Sequence, residues 1–286
     1  MASEDLAALA ADAYVYGFPL VFDLQMAGGQ ADLGMIAPAP FNSFSHASRL
    51  AGPDDRFVSI NNDTIYSIAQ VDVSGGPVLL RVPDTAGRYY VLQFVDAWTN
   101  NFAYVGRRTT GTAAGSFLLT PPRWRGEAPD GAPVIEFPTN LATIVGRWAC
   151  DGPADLEAVR ALQRGLTLEP FGTAVPATGL AVPATVPDEL AFFEQLRTWM
   201  RAFPPSAQDQ DYQLRFAPLG LLDPASPFAG CPAELAQALT GGPGCGQAGD
   251  GNGPQDGRPG TGGQRVEAYL PYVRLQRRPP GAGNGR

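Results

Sequence analysis

Between positions 59 and 112 the chain places clusters of Asn, Asp, Thr, Tyr and Arg where apolar, strand-like runs begin or end. Asn61-Asn62-Asp63 stands just before one such run, which continues through Thr64, Tyr66 and Ser67. Period-two geometry puts Thr64 and Tyr66 on one strand face and Ile65 and Ser67 on the other. Asn and Asp at a strand entrance can close Asx-turns, or they can point with Tyr66 into a polar cavity. Asp96-Ala97-Trp98-Thr99-Asn100-Asn101 ends the apolar run from Tyr90 to Val95. Trp98 there is either a stacking wall for a sugar or other ring or a buried indole held by local hydrogen bonds. In Arg107-Arg108, an extended backbone would send adjacent guanidiniums to opposite faces, so one could turn inward and take a carboxylate or phosphate with two hydrogen bonds. Arg88 and Arg147 are further anion-binding candidates, or partners in ion pairs with Asp63, Asp84 or Asp96.

His46 is the only histidine. Any Ser-His-Asp or Cys-His arrangement must run through it, and a two-His metal site within one chain is excluded. Ser43 and Ser45 beside it sit in no nucleophile-elbow motif. An oxygen-only cation site from Asn61, Asp63 and Asp96 lacks an acidic loop of EF-hand spacing, so neither a metal nor another cofactor is expected. All 20 basic residues are Arg, which removes Schiff-base and P-loop lysine chemistry. The candidate catalytic residues are therefore His46, Tyr66, Asp96 and Arg107. The candidate substrate-binding residues are Asn61, Asn62, Asp63, Trp98, Asn100, Asn101 and Arg108. Arg or Asn neutralising a carboxylate while Tyr66, Tyr89, Tyr90 or His46 moves a proton is the logic of a lyase. Hydrolysis by paired carboxylates is the other option, with Asp63 and Asp96 the residues that stand out.

The elements that must position these groups are mainly strands. Alternating apolar runs bounded by Gly, Pro and Asp predict strands at 57–60, 64–73, 77–82, 88–95, 101–106, 116–120 and 143–149. With no helices between them, short strands pair antiparallel. The expected fold is α+β, mainly β: an antiparallel sandwich or barrel-like sheet with flanking N- and C-terminal helices. An apolar stripe at helical spacing marks a first helix from Leu6, which Pro19 should kink or end. Pro153 to Leu166, Pro187 to Phe203 and Pro232 to Leu239 predict three more helices. The expected organisation is an N-terminal helix and loop over 1–40, a β-rich domain over 41–172, and a connector with helices over 173–239. Residues 240–286 are expected to form a Gly-rich, disordered tail, with eleven Gly between 240 and 265.

The 286 residues are 44% hydrophobic, enough for a sizeable core, and carry a net charge of −8. Residues 1–239 hold 14 Arg against 25 acidic residues, so a nucleic-acid partner is not expected. Three widely spaced cysteines, Cys150, Cys231 and Cys245, fit neither a disulfide framework nor a zinc ribbon. The start lacks the pattern of a signal peptide and no apolar run suggests a membrane span, so a cytoplasmic protein with no membrane partner is expected.

The runs AYVYGFPLV, FNSFSH, INNDTIYSIAQVDVSGGPVLLRVPD, RYYVLQFVDAWTNNFAYVGRRTTGT, SFLLTPP, TIVGRW and LQRGLTLEP resemble the bacterial family catalogued as domain of unknown function 1254, over roughly residues 10–170. The resemblance implies a β-rich domain with flanking helices and no agreed activity, usually continued by a second β-rich domain, domain of unknown function 1214. This chain departs from that plan after Leu239. Read one nucleotide later, codons permitted for Val266 to Tyr272 spell Trp-Lys-Leu-Thr-Tyr-His-Thr, which resembles the segment leading into the second domain; a frameshift near residue 240 would explain the departure. The expected function is a lyase or hydrolase on a polar or anionic small molecule, a saccharide included. The alternatives are a non-catalytic binding or structural module, or an inactive truncated remnant, for which exposed Leu190, Phe193 and Met200 would be the sign.

Overall fold

The computed structural model describes residues 3–29, 36–55, 60–129, 131–173 and 175–241. Most of the strand expected at 57–60, Cys245 and nearly all of the Gly-rich tail lie outside the described residues. In chain order the strands are β1 (Phe44–His46), β2 (Thr64–Asp72), β3 (Val78–Val82), β4 (Tyr90–Asp96), β5 (Asn101–Gly106), β6 (Gly115–Thr120), β7 (Val134–Glu136), β8 (Leu141–Ala149) and β9 (Thr167–Pro170). The helices are α1 (Ser3–Ala27), α2 (Leu156–Arg164), α3 (Ala191–Ala202), α4 (Ala207–Leu214) and α5 (Ala233–Thr240).

Two sheets result. The larger runs β1-β2-β8-β4-β5 with every neighbour antiparallel; the smaller runs β7-β6-β3-β9, antiparallel except for the parallel β6–β7 pair. Neither sheet closes on itself, so the barrel-like alternative falls and an α+β fold of two open sheets stands. The alternation that predicts the strands also fills the core. Ile65, Ala69 and Val71 of β2, Ile144 and Trp148 of β8, and Tyr90, Leu92 and Phe94 of β4 share one apolar cluster with Val78, Leu80, Phe117 and Leu119 of the smaller sheet. Burial on this scale contributes about 1.5–3 kcal/mol for each large side chain. Tyr90 stacks on Trp148 with ring centroids 5.1 Å apart. Gly146 lies between Ser67 and Leu92, where a Cβ would approach Ser67 O and Leu92 Cδ2 to 3.0 Å. Its bare backbone allows β8 to sit between β2 and β4 at this level.

The helices form a second apolar cluster at one end of the larger sheet, reaching it at Ala97 and Leu141. Ala10, Ala13, Leu20, Val21 and Leu24 of α1 pack with Phe193, Leu196, Trp199 and Met200 of α3 and with Leu239 of α5. At Gly17 a Cβ would come within 2.4 Å of Leu196, so the α1–α3 approach requires glycine. Pro19 does not end α1, because the buried Leu20, Val21 and Leu24 hold the last turns in place. By length and composition α1 is apolar enough to cross a membrane; here Ala10, Ala13, Leu20, Val21 and Leu24 supply core, while Val15 and Phe22 are exposed. Leu190, Phe193 and Met200, whose exposure would mark a lost partner, are all buried. The 175–186 connector is tied down as well: Ala184 N donates to Glu194 at 3.0 Å and the Trp199 indole donates to Ala181 O at 2.9 Å.

Candidate functional site

The two polar clusters that open and close the sequence signature do not meet. Thr64 pairs with Ala149 at one end of the larger sheet, whereas Asp96 pairs with Ala142 at the other. Seven residues of strand separate the two levels, roughly 23 Å. Asn61, Asn62 and Asp63 are exposed at the entrance of β2, with Asp63 O accepting a hydrogen bond from Cys150 N, which extends the β2–β8 pairing by one step. The cation site imagined from Asn61, Asp63 and Asp96 therefore cannot assemble.

Asp96 is buried and its carboxylate is consumed locally. Oδ1 accepts from the backbone N–H groups of Trp98 and Asn100, each at 2.9 Å, and Oδ2 accepts from the Asn100 amide at 3.2 Å. Burial raises its pKa, and these bonds oppose that rise. Trp98 is not a ligand wall: its indole packs on Tyr16 and donates to Phe203 O at 2.9 Å. The residue that sequence reasoning missed at this end is Asp23, the single acid in the apolar second half of α1. Its Oδ2 is shut off from solvent without a hydrogen-bond partner. Burial, with Asp96 nearby adding to it, pushes its pKa up to about 8.

Arg107 and Arg108 both lie exposed, contrary to the expectation that one turns inward. Gly106 O accepts from the N–H groups of Thr109, Thr110 and Gly111, so the segment is a tight turn rather than an extended strand. Arg108 sits over the Tyr89 ring at 5.4 Å. Arg88 is structural, paired through both guanidinium nitrogens with Asp155 rather than with Asp63, Asp84 or Asp96. His46 lies on β1 with Nδ1 2.8 Å from Ser67 Oγ. Ser67, on the inner face of β2, is fully buried and also receives the Trp148 indole N–H at 3.0 Å and the Gln163 amide at 3.1 Å. That hydroxyl cannot reach a substrate, so the Ser-His pair is a core clasp joining β1, β2, β8 and α2.

The chemistry gathers instead on the outer face of the larger sheet. Tyr66 and Arg147 are directly paired across β2 and β8, and the guanidinium lies 5.5 Å from the centre of the Tyr66 ring. Arg147 also donates to Gln93 Oε1 at 2.7 Å, and Gln93 Nε2 donates in turn to Asn101 Oδ1. Tyr66 is only 7% exposed, and its hydroxyl oxygen accepts from Asn61 N at 3.0 Å. Two candidate residues, Tyr66 and Asn101, thus belong to one row whose centre is Arg147 and Gln93. Among the described residues Arg147 has no carboxylate within ion-pair distance, although seven other arginines do. Internal bonds engage the row's carbonyl oxygens, while guanidinium and amide N–H groups remain to donate. The sequence signal for Arg147 was its place at period two after Thr143 and Val145 in an otherwise apolar strand.

On the same face, Ile68 and Gln70 of β2 and Ser45 of β1 line a cavity of about 300 Å³, closed by Met26, Ile36, Pro38, Pro40 and Phe41. Among the described residues no group of three His, Cys, Asp or Glu side chains is placed to hold a metal ion.

No curated protein matches the chain. The VPA0106 protein from Vibrio parahaemolyticus is similar in structure, with a TM-score of 0.65 at 22% identity, over 82% of this chain. The matched region spans 57% of that protein's chain. An uncharacterised protein from Burkholderia cenocepacia aligns at 13% identity with a TM-score of 0.28, over 76% of this chain and 59% of that one. Residues 41–170, from the segment before β1 to the end of β9, match the family model described as "Protein of unknown function (DUF1254)".

Proposed function

We propose that the outer face of the larger sheet binds a small anionic molecule, a carboxylate above all, with Arg147 as its anchor. One observation carries this reading: a half-buried guanidinium has no acidic partner among the described residues, yet is held in place by Tyr66 and Gln93. A desolvated charge left uncompensated is costly, and an anionic ligand supplies the compensation. Arg is suited to the task because its planar fork meets a carboxylate with two parallel hydrogen bonds. Tyr66 acts as the platform that fixes the guanidinium plane, and Asn101 adds a donor at the far end of the row.

A catalytic role follows from the same geometry if neutralising the carboxylate acidifies the neighbouring C–H, the first requirement of a lyase. A binding module that performs no reaction meets the geometry equally. Titration of the full chain with acetate, sulfate and phosphate, followed by ligand-observed NMR, tests the anchor. Saturable binding that weakens at least ~10-fold in Arg147→Gln supports it, the equivalent of about 1.4 kcal/mol. Binding unchanged in that variant, or no saturable binding of any of the three anions, overturns it. Exchange of the carboxylate's α-hydrogen with deuterated solvent, lost in Arg147→Gln, separates the catalytic reading from the binding one.

A further inference from the structure

The anchor and the cavity share one face. Tyr66, Ile68 and Gln70 follow one another at period two on the outer side of β2, and Ser45 of β1 is paired with Ile68. Arg147 is paired with Tyr66, one step along β8 from Val145, which pairs with Ile68. Ile68, in the cavity wall, is therefore a diagonal neighbour of Arg147, with backbones roughly 7–8 Å apart. The cavity of about 300 Å³ is walled mainly by apolar groups from Met26, Ile36, Pro38, Pro40, Phe41 and Ile68. Its polar edge is Ser43, Ser45 and Gln70. Gln70 Oε1 already accepts from the Thr143 hydroxyl at 2.8 Å, which leaves its amide N–H groups as donors. An apolar hollow and a fixed cation separated by a short span of sheet make a bipartite site. A bare anion would use only half of it, and a neutral apolar molecule only the other half.

We infer that the ligand is an amphipathic monocarboxylate, with an aliphatic or aromatic body of about six to ten non-hydrogen atoms in the cavity and its carboxylate on Arg147. The inference rests on the anion-binding reading and adds the body to the head group. Saccharides fit this site poorly, because six of the lining side chains offer no hydrogen bond to a hydroxyl-rich ring.

The test is a chain-length series on the full chain: acetate, butanoate, hexanoate and phenylacetate, with hexanamide as the uncharged control, measured by NMR or calorimetric titration. Burial of each added methylene should tighten binding on the order of fourfold until the cavity is full. Hexanamide should bind at least ~10-fold more weakly than hexanoate. Ser45→Phe, which fills the cavity from β1, should remove most of the gain from chain length. Ser43→Phe fills it from the preceding loop and serves if Ser45→Phe fails to give a cooperative melt. Equal affinity for acetate and hexanoate, both lost in Arg147→Gln, overturns the amphipathic ligand and leaves the anion site standing. Chain-length dependence unaffected by either Phe variant overturns it too. Failure of every carboxylate to bind removes the anion site, and the inference with it.

Discussion

His46 Nδ1 lies 2.8 Å from Ser67 Oγ, and that hydroxyl's two lone pairs are both taken by N–H donors, from the Trp148 indole and the Gln163 amide. The serine must then give its own proton to Nδ1, which fixes His46 as the neutral tautomer carrying hydrogen on Nε2. Burial lowers the His46 pKa from its ordinary 6.5, in the same direction. The unfolded chain therefore takes up this proton first as pH falls. His46 contributes its full stability above about pH 6.5 and loses it as pH drops through the folded value. In an Asp23→Asn background, which removes an opposing carboxyl titration, thermal melts at about pH 7.5 and about pH 5.5 should show lower stability at the acid end. His46→Asn, which retains an acceptor and cannot charge, should flatten that dependence.

Ser67→Ala should cost about 1–3 kcal/mol in urea unfolding, since it leaves the buried Trp148 indole N–H without an acceptor, while the Gln163 amide keeps its bond to Tyr66 O. Ser67→Thr, which restores the hydroxyl, should recover part of that loss.

At the helical end of the sheet, the Asp23 carboxyl is predicted to be neutral at physiological pH because its folded pKa stands at about 8. The unfolded chain ionises first as pH rises, so the Asp23 contribution to stability falls between about pH 4 and pH 8 and then levels off. Asp23→Asn should match wild type near pH 4 and exceed it at pH 8 by on the order of 1 kcal/mol or more. Equal melting curves for the two proteins at pH 8 would show that Asp23 ionises freely in the folded chain.

Gly146→Ala should destabilise by about 1–3 kcal/mol, because the added methyl meets the Ser67 carbonyl and the Leu92 side chain at 3.0 Å. The strain falls one residue from Arg147. Carboxylate affinity should therefore drop even under conditions where the variant remains folded, a coupling readable by titration below its melting temperature.

Gln93→Ala should weaken carboxylate binding with little effect on stability, since it releases the guanidinium and separates Asn101 from the row. Tyr66→Leu removes the ring platform as well as the bond to Asn61 N, and should lower both affinity and melting temperature. Loss of stability without loss of affinity in Tyr66→Leu would assign the tyrosine to the fold alone.

The long strands were legible because each of β2, β4, β5 and β8 has enough alternating positions to establish a period. β1, β7 and β9 escaped because three or four residues do not define one. α4 escaped because its eight residues are mostly polar. The site was harder for a different reason. Tyr66 was visible as a candidate, but its partnership with Arg147 is a matter of register between strands 81 residues apart, and register is set by the whole sheet. Arg107 misled because adjacent arginines diverge only if the backbone is extended, and the carbonyl of Gly106 gathers three N–H groups into a turn there. Asp96 misled because a carboxylate capping its own turn is indistinguishable, in a string of letters, from one aimed at a substrate.

The packing of α1 on α3 and α5 has a consequence for biosynthesis. The helix is synthesised well before α3 and α5, yet much of the surface that covers Ala10, Ala13, Leu20 and Leu24 is supplied by residues from 190 onward. At roughly 5–20 residues per second, its apolar face waits on the order of 10–40 s before it can dock. Throughout that interval the nascent chain displays a long hydrophobic helix, which makes α1 the natural recognition point for a cotranslational chaperone.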